Sequence, residues 1–153
     1  MPTTLPEQTS ESEAISEIAA RLRLAITRMA RRLRQEAGTD LTPSQASALA
    51  SIELRGPLTP SELAAIERVK RPTATRIVAR LEEDALLTRA ADPHDGRSSI
   101  VSATPRGRAL LARLRTRKNA YLAKRLRSLD DDDVATLARA AEILEHLQDG
   151  ERG

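Results

Sequence analysis

One segment does most to limit what this chain can fold into. From Arg68 to Ala103 a helical pattern opened by a proline runs directly into two short apolar stretches joined by a polar turn. Ala74, Ile77, Val78 and Leu81 fall at i, i+3, i+4 and i+7 and so share one helix face, while Pro72, Arg76, Ala79, Arg80 and Glu83 share the opposite one. Leu86 to Ala91 and Ser98 to Ala103 are the only stretches that resemble paired strands. The turn between them, Asp92, Pro93, His94, Asp95, Gly96 and Arg97, contains a proline and a glycine suited to a reversal. The order is therefore helix, hairpin, basic tip, with one helix face committed to a core and the other free to meet a partner.

A core built around this segment must be aliphatic, because the 153 residues include no Phe, no Trp and a single tyrosine, Tyr121. Leu, Ile, Val and Ala carry nearly all the burial, and such composition favours helices over sheets. The length suits one domain with its own core. With no cysteine, disulfides, thiolate metal sites and thiol redox sensing are excluded together. The start of the chain lacks the order of a signal peptide, and no apolar run approaches the roughly 18 residues of a membrane span, so a cytoplasmic protein without a membrane partner is expected. Net charge is only +3, but its distribution is uneven: Arg68 to Arg127 holds sixteen Lys and Arg against five Asp and Glu, and the remainder holds nine against seventeen. A basic middle between acidic ends is what a polyanion-binding surface needs. On charge alone, Arg-rich helices that merely solvate themselves are an equally good reading.

Along the chain, residues 1–12 are polar and read as a disordered tail. From Glu13 to Ala37, the residues Ile15, Ile18, Leu22, Ala25, Met29 and Leu33 form a helical stripe, and Leu24, Ile26 and Ala30 add apolar surface outside it. A helix apolar on more than one side is gripped from two directions, by its own core and by a second subunit. Gly38 can end it in the left-handed conformation. Thr42-Pro43-Ser44-Gln45 and Thr59-Pro60-Ser61-Glu62 both have the capping-box form and start two short helices, and a third pair, Thr104-Pro105, starts a long one. The helix from Pro72 differs. Lys70 and Arg71 precede it, and neither accepts a hydrogen bond as an N-cap does, so water or a bound phosphate must satisfy its first N–H groups. The last helix, after Asp130 to Asp133, carries Val134, Leu137, Ala141 and Leu144 at about 3.5-residue spacing, the mark of a helix–helix seam. Residues 149–153 read as a frayed end.

The expected fold is thus mainly α with a two-stranded β wing. A helix (13–37) precedes a winged helix-turn-helix (41–103), and two further helices follow (104–148), all within one structural domain. In such a motif the second helix of the pair lies in the major groove and the hairpin tip reaches a neighbouring groove. At this point the chain resembles the MarR family of bacterial transcriptional regulators over roughly Glu13 to Leu147. Asp92, Pro93, Asp95, Gly96 and Arg97, then Ile100, Val101, Thr104 and Gly107, reproduce that family's wing. Leu63-Ala64, Thr75-Arg76 and Leu81-Glu82-Glu83 match its recognition-helix region. Where the family commonly has glycine after the recognition helix this chain has Ala85, so a left-handed exit there is expected to be strained and the hairpin angled differently.

The resemblance implies a homodimer that binds double-stranded DNA at a palindromic operator in the bacterial cytoplasm, as a repressor of nearby or own genes, without cofactor or metal. The N- and C-terminal helices would interlock, with Ile15, Ile18, Leu22, Leu126, Leu137, Ala141 and Leu144 at the interface. Arg76 would present its planar fork to a guanine edge, with Thr73 and Thr75 bordering the same face, although either hydroxyl can equally bond back to the helix. Lys70, Arg71 and Pro72 lie at the helix start, and Arg80 divides evenly between a phosphate contact and a helix salt bridge. Arg97 would enter the minor groove, with Asp95 and Gly96 organising the turn and His94 as an auxiliary phosphate contact or plain exposed turn. Ser44, Gln45 and Ser61 are phosphate candidates whose first role is capping. The family binds small, often aromatic or anionic, effectors between the dimerisation helices and the winged region; here Arg28, Arg32 and Tyr121 are the lining candidates, with no Phe or Trp to stack.

Two other sites fail on chemistry. Four acids at Asp130 to Asp133 complement a helix dipole better than they make a metal cage, and His146 lacks a second nitrogen or sulfur ligand nearby. An enzyme has no nucleophile with a base and no phosphate loop to support it. The remaining rival, a protein-interaction module that has lost specific DNA binding, must explain why Thr75, Arg76 and Arg97 are present.

Overall fold

Local capping chemistry sets most of the element boundaries. In the computed structural model, which describes residues 6–149, eight elements follow in order. They are α1 (Pro6–Ala37), α2 (Pro43–Arg55), α3 (Pro60–Ile66), α4 (Arg71–Glu83), β1 (Leu87–Ala91), β2 (Ser99–Ala103), α5 (Pro105–Leu126) and α6 (Asp131–Asp149). Both capping boxes form. The Thr42 hydroxyl accepts from the Gln45 N–H at 3.2 Å while Gln45 Oε1 accepts from the Thr42 N–H at 3.1 Å. Thr59 and Glu62 make the same exchange at 3.1 and 2.7 Å. Thr104 caps α5 through the Gly107 N–H, and Asp130 caps α6 through the Asp133 N–H at 2.8 Å, which is the role expected of that acidic run.

α1 corrects the expected N-terminal tail. Residues 6–12 are helical, so the helix is 32 residues long, about 48 Å, and residues 1–5 lie outside the described part. Polar composition suggested disorder, but Pro6 suits a first helical turn. Asp149 likewise belongs to α6 rather than to a frayed end.

The core is assembled from α2 to α5 and the hairpin. Ala48, Leu49, Ile52, Leu63, Val78, Leu81, Leu86, Leu87, Val101 and Leu111 form one buried cluster, and the α4 face predicted from spacing supplies Ala74, Val78 and Leu81, each fully buried. The wing is a two-stranded antiparallel sheet in which Leu87 pairs with Ala103 and Ala91 with Ser99. A short bridge not legible in the sequence ties it to the helices: Leu58, in the α2–α3 loop, pairs with Val101, with N–H to carbonyl distances of 3.1 and 2.8 Å.

The α4 exit is left-handed at Ala85, the strained route expected of a residue other than glycine. Its backbone adopts the left-handed conformation, φ 58°, without a glycine. The Leu86 N–H donates to the Leu81 carbonyl and the Ala85 N–H to the Glu82 carbonyl, both at 2.9 Å, which completes a Schellman cap. Thr104 secures the turn from the other side, its hydroxyl donating to the Ala85 carbonyl at 2.7 Å and its N–H to the Leu86 carbonyl at 3.0 Å. The left-handed exit therefore forms without a glycine, and Ala85 carries its strain.

α1 and α6 stand apart from this core. Of the twelve large apolar side chains exposed among the described residues, ten lie on these two helices, including Ile15 at 62% and Leu137 at 47% exposure. α1 meets α5 along its C-terminal part, where Ala37 is buried, and α6 makes no substantial contact with another element. No described helix is long and apolar enough to cross a membrane.

Candidate nucleic-acid interface

α4 presents the first part of the site. With Ala74, Val78 and Leu81 turned inward, Arg71, Pro72, Thr75, Arg76, Ala79 and Arg80 are exposed and Thr73 is half-buried. Lys70 occupies the N-cap position and makes no side-chain cap, as the sequence led us to expect. The helix compensates in part through the Lys70 carbonyl, which accepts from the Thr73 and Ala74 N–H groups at 2.9 and 3.1 Å. Thr116 and Thr136 bond back to their own helices, but neither Thr73 nor Thr75 does so among the described residues, which leaves both hydroxyls available.

The arginines on this face differ in their engagement. Arg80 is held by Glu83 at 3.4 Å and Asp84 at 3.5 Å, so in the free protein the salt-bridge reading applies. Arg76 has no ion pair among the described residues, and its guanidinium stands on the middle of the exposed face.

The wing tip is built by two aspartates. Asp92 Oδ1 accepts from the His94 N–H at 2.9 Å, and Asp95 accepts from the Arg97 N–H at 3.1 Å and from the Ser98 hydroxyl at 3.3 Å. Asp95 thus shapes the turn through the backbone of Arg97 and leaves the guanidinium exposed, without an ion pair among the described residues. Gly96 is a correction: its backbone is outside the left-handed region and a Cβ would meet open space, so the turn does not require glycine there. His94 is exposed turn.

On the supporting helices Ser44 and Ser61 are exposed, whereas the Gln45 side chain is occupied in its capping box and offers less to a phosphate than expected. Sequence reasoning missed Arg89. On β1, it joins the α4 residue Glu82 to the β2 residue Ser99. The available signal was a lone cation inside a strand, seven residues after a helix-terminal acid.

The candidate effector residues separate. Arg32 Nε donates to the Tyr121 hydroxyl at 3.3 Å, and the guanidinium carbons of Arg32 and Arg125 lie 5.7 and 5.3 Å from the ring centroid. The Arg32 hydrogen bond, with Arg125 assisting, lowers the Tyr121 pKa, and the same bond together with Glu36 raises that of Arg32. They line a cavity of about 760 Å³ between α1 and α5, with Glu36, Arg117, Lys124 and Arg125; Arg28 does not line it, which corrects its inclusion. A second cavity of about 500 Å³, between the α1–α2 turn, the end of α4 and α5, holds Asp40, Arg80, Asp84, Arg106 and Arg113.

Known proteins share this arrangement. A family model described as "MarR family" matches residues 39–98, the span of the helix-turn-helix and most of the wing. An HTH-type transcriptional regulator of Mycobacterium bovis is 35% identical over 135 residues, covering 88% of this chain and 94% of that protein. The multiple antibiotic resistance protein MarR of Salmonella typhimurium is 34% identical over 99 residues, covering 64% and 69% respectively. Among solved structures, a transcriptional regulator protein from Pseudomonas aeruginosa superposes with a TM-score of 0.80 at 35% identity, covering 88% of this chain and 96% of that one. Wild-type MarR from E. coli superposes at 0.69 and 25% identity, covering 82% and 95%. With the wing, the recognition helix and the relatives in agreement, the chain belongs to the MarR family and is a helix-turn-helix, DNA-binding transcriptional regulator.

Proposed function

We propose that the protein is a homodimeric repressor that reads a palindromic operator near its own gene and is released by a small anionic ligand. The observation that carries the reading is a pair of exposed guanidiniums without an ion pair among the described residues, Arg76 on the outer face of α4 and Arg97 at the wing tip, held on one buried core. Arg76, with Thr73 and Thr75, reads base edges in the major groove, and Arg97 enters the minor groove. Lys70, Arg71, Pro72, Ser44 and Ser61 approach phosphate, and Arg80 joins them only after leaving Glu83 and Asp84. The exposed apolar faces of α1 and α6 support the dimer, because a single chain leaves them in water. The cationic cavity beside Tyr121 supports an anionic effector, since four cations there face one carboxylate, Glu36.

Binding to duplexes carrying the palindromes around the gene, measured at several salt concentrations, tests the reading. A steep loss of affinity with salt, together with a preference over scrambled sequence that survives it, is expected. Equal binding to scrambled DNA would reduce the protein to a non-specific binder or an interaction module. Arg97→Ala should weaken operator binding by about 1–3 kcal/mol with the dimer intact. An unchanged affinity would remove the wing from the groove.

A further inference from the structure

Among the described residues, Arg89 on β1 is the side chain whose hydrogen bonds join α4 to β2. Its Nε and Nη2 donate to Glu82 Oε1 and Oε2 at 2.8 and 3.4 Å, a two-pronged contact to the last turn of α4. Its Nη1 donates to the Ser99 hydroxyl at 2.8 Å, on the opposite wing strand. Within the sheet Arg89 pairs with Val101, so Ser99 is its diagonal neighbour, and the guanidinium lies across the hairpin toward the helix. Among the described residues no other side chain bonds the recognition helix to the wing; the remaining links are the α4–β1 turn and the buried apolar contacts at the wing base.

We propose that Arg89 is a positioning residue: with Glu82 and Ser99 it fixes the angle between the recognition helix and the wing, so that Arg76 and Arg97 reach their grooves together. The Leu58–Val101 bridge and the Thr104 bonds to the α4–β1 turn hold the base of the wing, which leaves the hairpin beyond that base to swing. Its tip, from Asp92 to Ser98, has hydrogen bonds of its own but none to α4. The strut lies between the pivot and the tip, where a small displacement at the base becomes a larger one at Arg97. Arginine suits the position because its planar fork holds a carboxylate and a hydroxyl in fixed directions, which an ammonium does not. Side-chain exposures of 40% for Arg89 and 27% for Glu82 mean that the pair adds little to overall stability, so its main effect is on geometry. The inference rests on DNA reading by both α4 and the wing.

Two measurements test it separately from that reading. The chain has no cysteine, so Ala79→Cys and His94→Cys, both at exposed positions, place spin labels specifically on α4 and the wing tip. The label-to-label distance distribution, recorded without DNA and with labelled protein diluted in unlabelled chain, should be narrow. It should broaden or shift with Arg89→Ala or Glu82→Gln, and Arg89→Lys should restore it only in part. A distribution unmoved by Arg89→Ala and Glu82→Gln overturns the proposal. On duplexes selected from a random pool by the wild-type protein, Arg97→Ala should cost about tenfold in affinity in the parent and less than about threefold in the Arg89→Ala background. The same factor in both backgrounds also overturns it. Loss of the Arg97 effect in the parent itself would instead sink the wing-reading assignment, with the distance measurement still deciding the strut.

Discussion

Tyr121 is the only tyrosine in a chain without Trp, so its ionisation can be followed optically without interference. The Arg32 hydrogen bond holds its phenol below the ordinary value of 10.0. The tyrosinate absorbance should therefore rise at lower pH than for a free phenol, and Arg32→Gln should move the midpoint up. No movement would mean that α1 and α5 do not meet through this pair. A depressed folded pKa contributes stability that is fully present above the unfolded value of 10.0 and is lost as pH falls through the folded pKa, so stability should rise with pH across that window and Arg32→Gln should flatten the rise. Gly107 gives a second prediction in which two effects oppose. Alanine in a helix is ordinarily favoured over glycine by about 1 kcal/mol. Here a Cβ would sit 2.3 Å from the Leu86 carbonyl oxygen, a backbone atom that cannot rotate away, so the clash wins. Gly107→Ala should destabilise by about 1–3 kcal/mol in denaturant unfolding, and a stabilised variant would show that α5 lies farther from the α4–β1 turn.

At the scale of elements, the α4 exit combines a sequence that disfavours the left-handed conformation with a structure that uses it. Ala85→Gly should stabilise the protein by about 1 kcal/mol, because the left-handed backbone then carries no Cβ penalty while the Schellman bonds and the Thr104 contacts remain. A loss of stability would mean that the Ala85 methyl contributes packing the exposed turn does not suggest. This site also marks how far the sequence could be read. Where structure is set within four residues, as in the boxes at Thr42 and Thr59 or the i, i+3, i+4 face of α4, the elements followed from the residues alone. The α4 start, with no cap at Lys70, was legible for the same reason. What escaped depends on partners distant in sequence: the Leu58–Val101 bridge, the reach of Arg89 to Glu82 and Ser99, and the Thr104 bonds that secure Ala85. The N-terminal turns of α1 escaped differently, because their polar composition describes solubility and not backbone conformation.

The whole molecule separates a folded reading unit from helices that lack a partner. Every residue of the buried cluster comes from α2 to α5, the hairpin, the α2–α3 loop and the α4–β1 turn, so a charge placed on α6 should leave the winged region folded. Leu137 is 47% exposed on α6, and in the proposed dimer it faces the second copy. Leu137→Glu should therefore yield a monomer in sedimentation velocity with the circular dichroism of the winged region retained. Its consequence for DNA follows from valency. In a dimer the second half-site is met at an effective concentration on the order of millimolar, so uncoupling the copies should lower affinity for a full palindrome by about 10²–10⁴. Affinity for a duplex carrying one half-site should hardly change, because no contact on α4 or the wing is touched. Equal losses on both duplexes would show that α6 supports the reading unit itself, and a variant still dimeric at low micromolar concentration would place the seam on α1 alone.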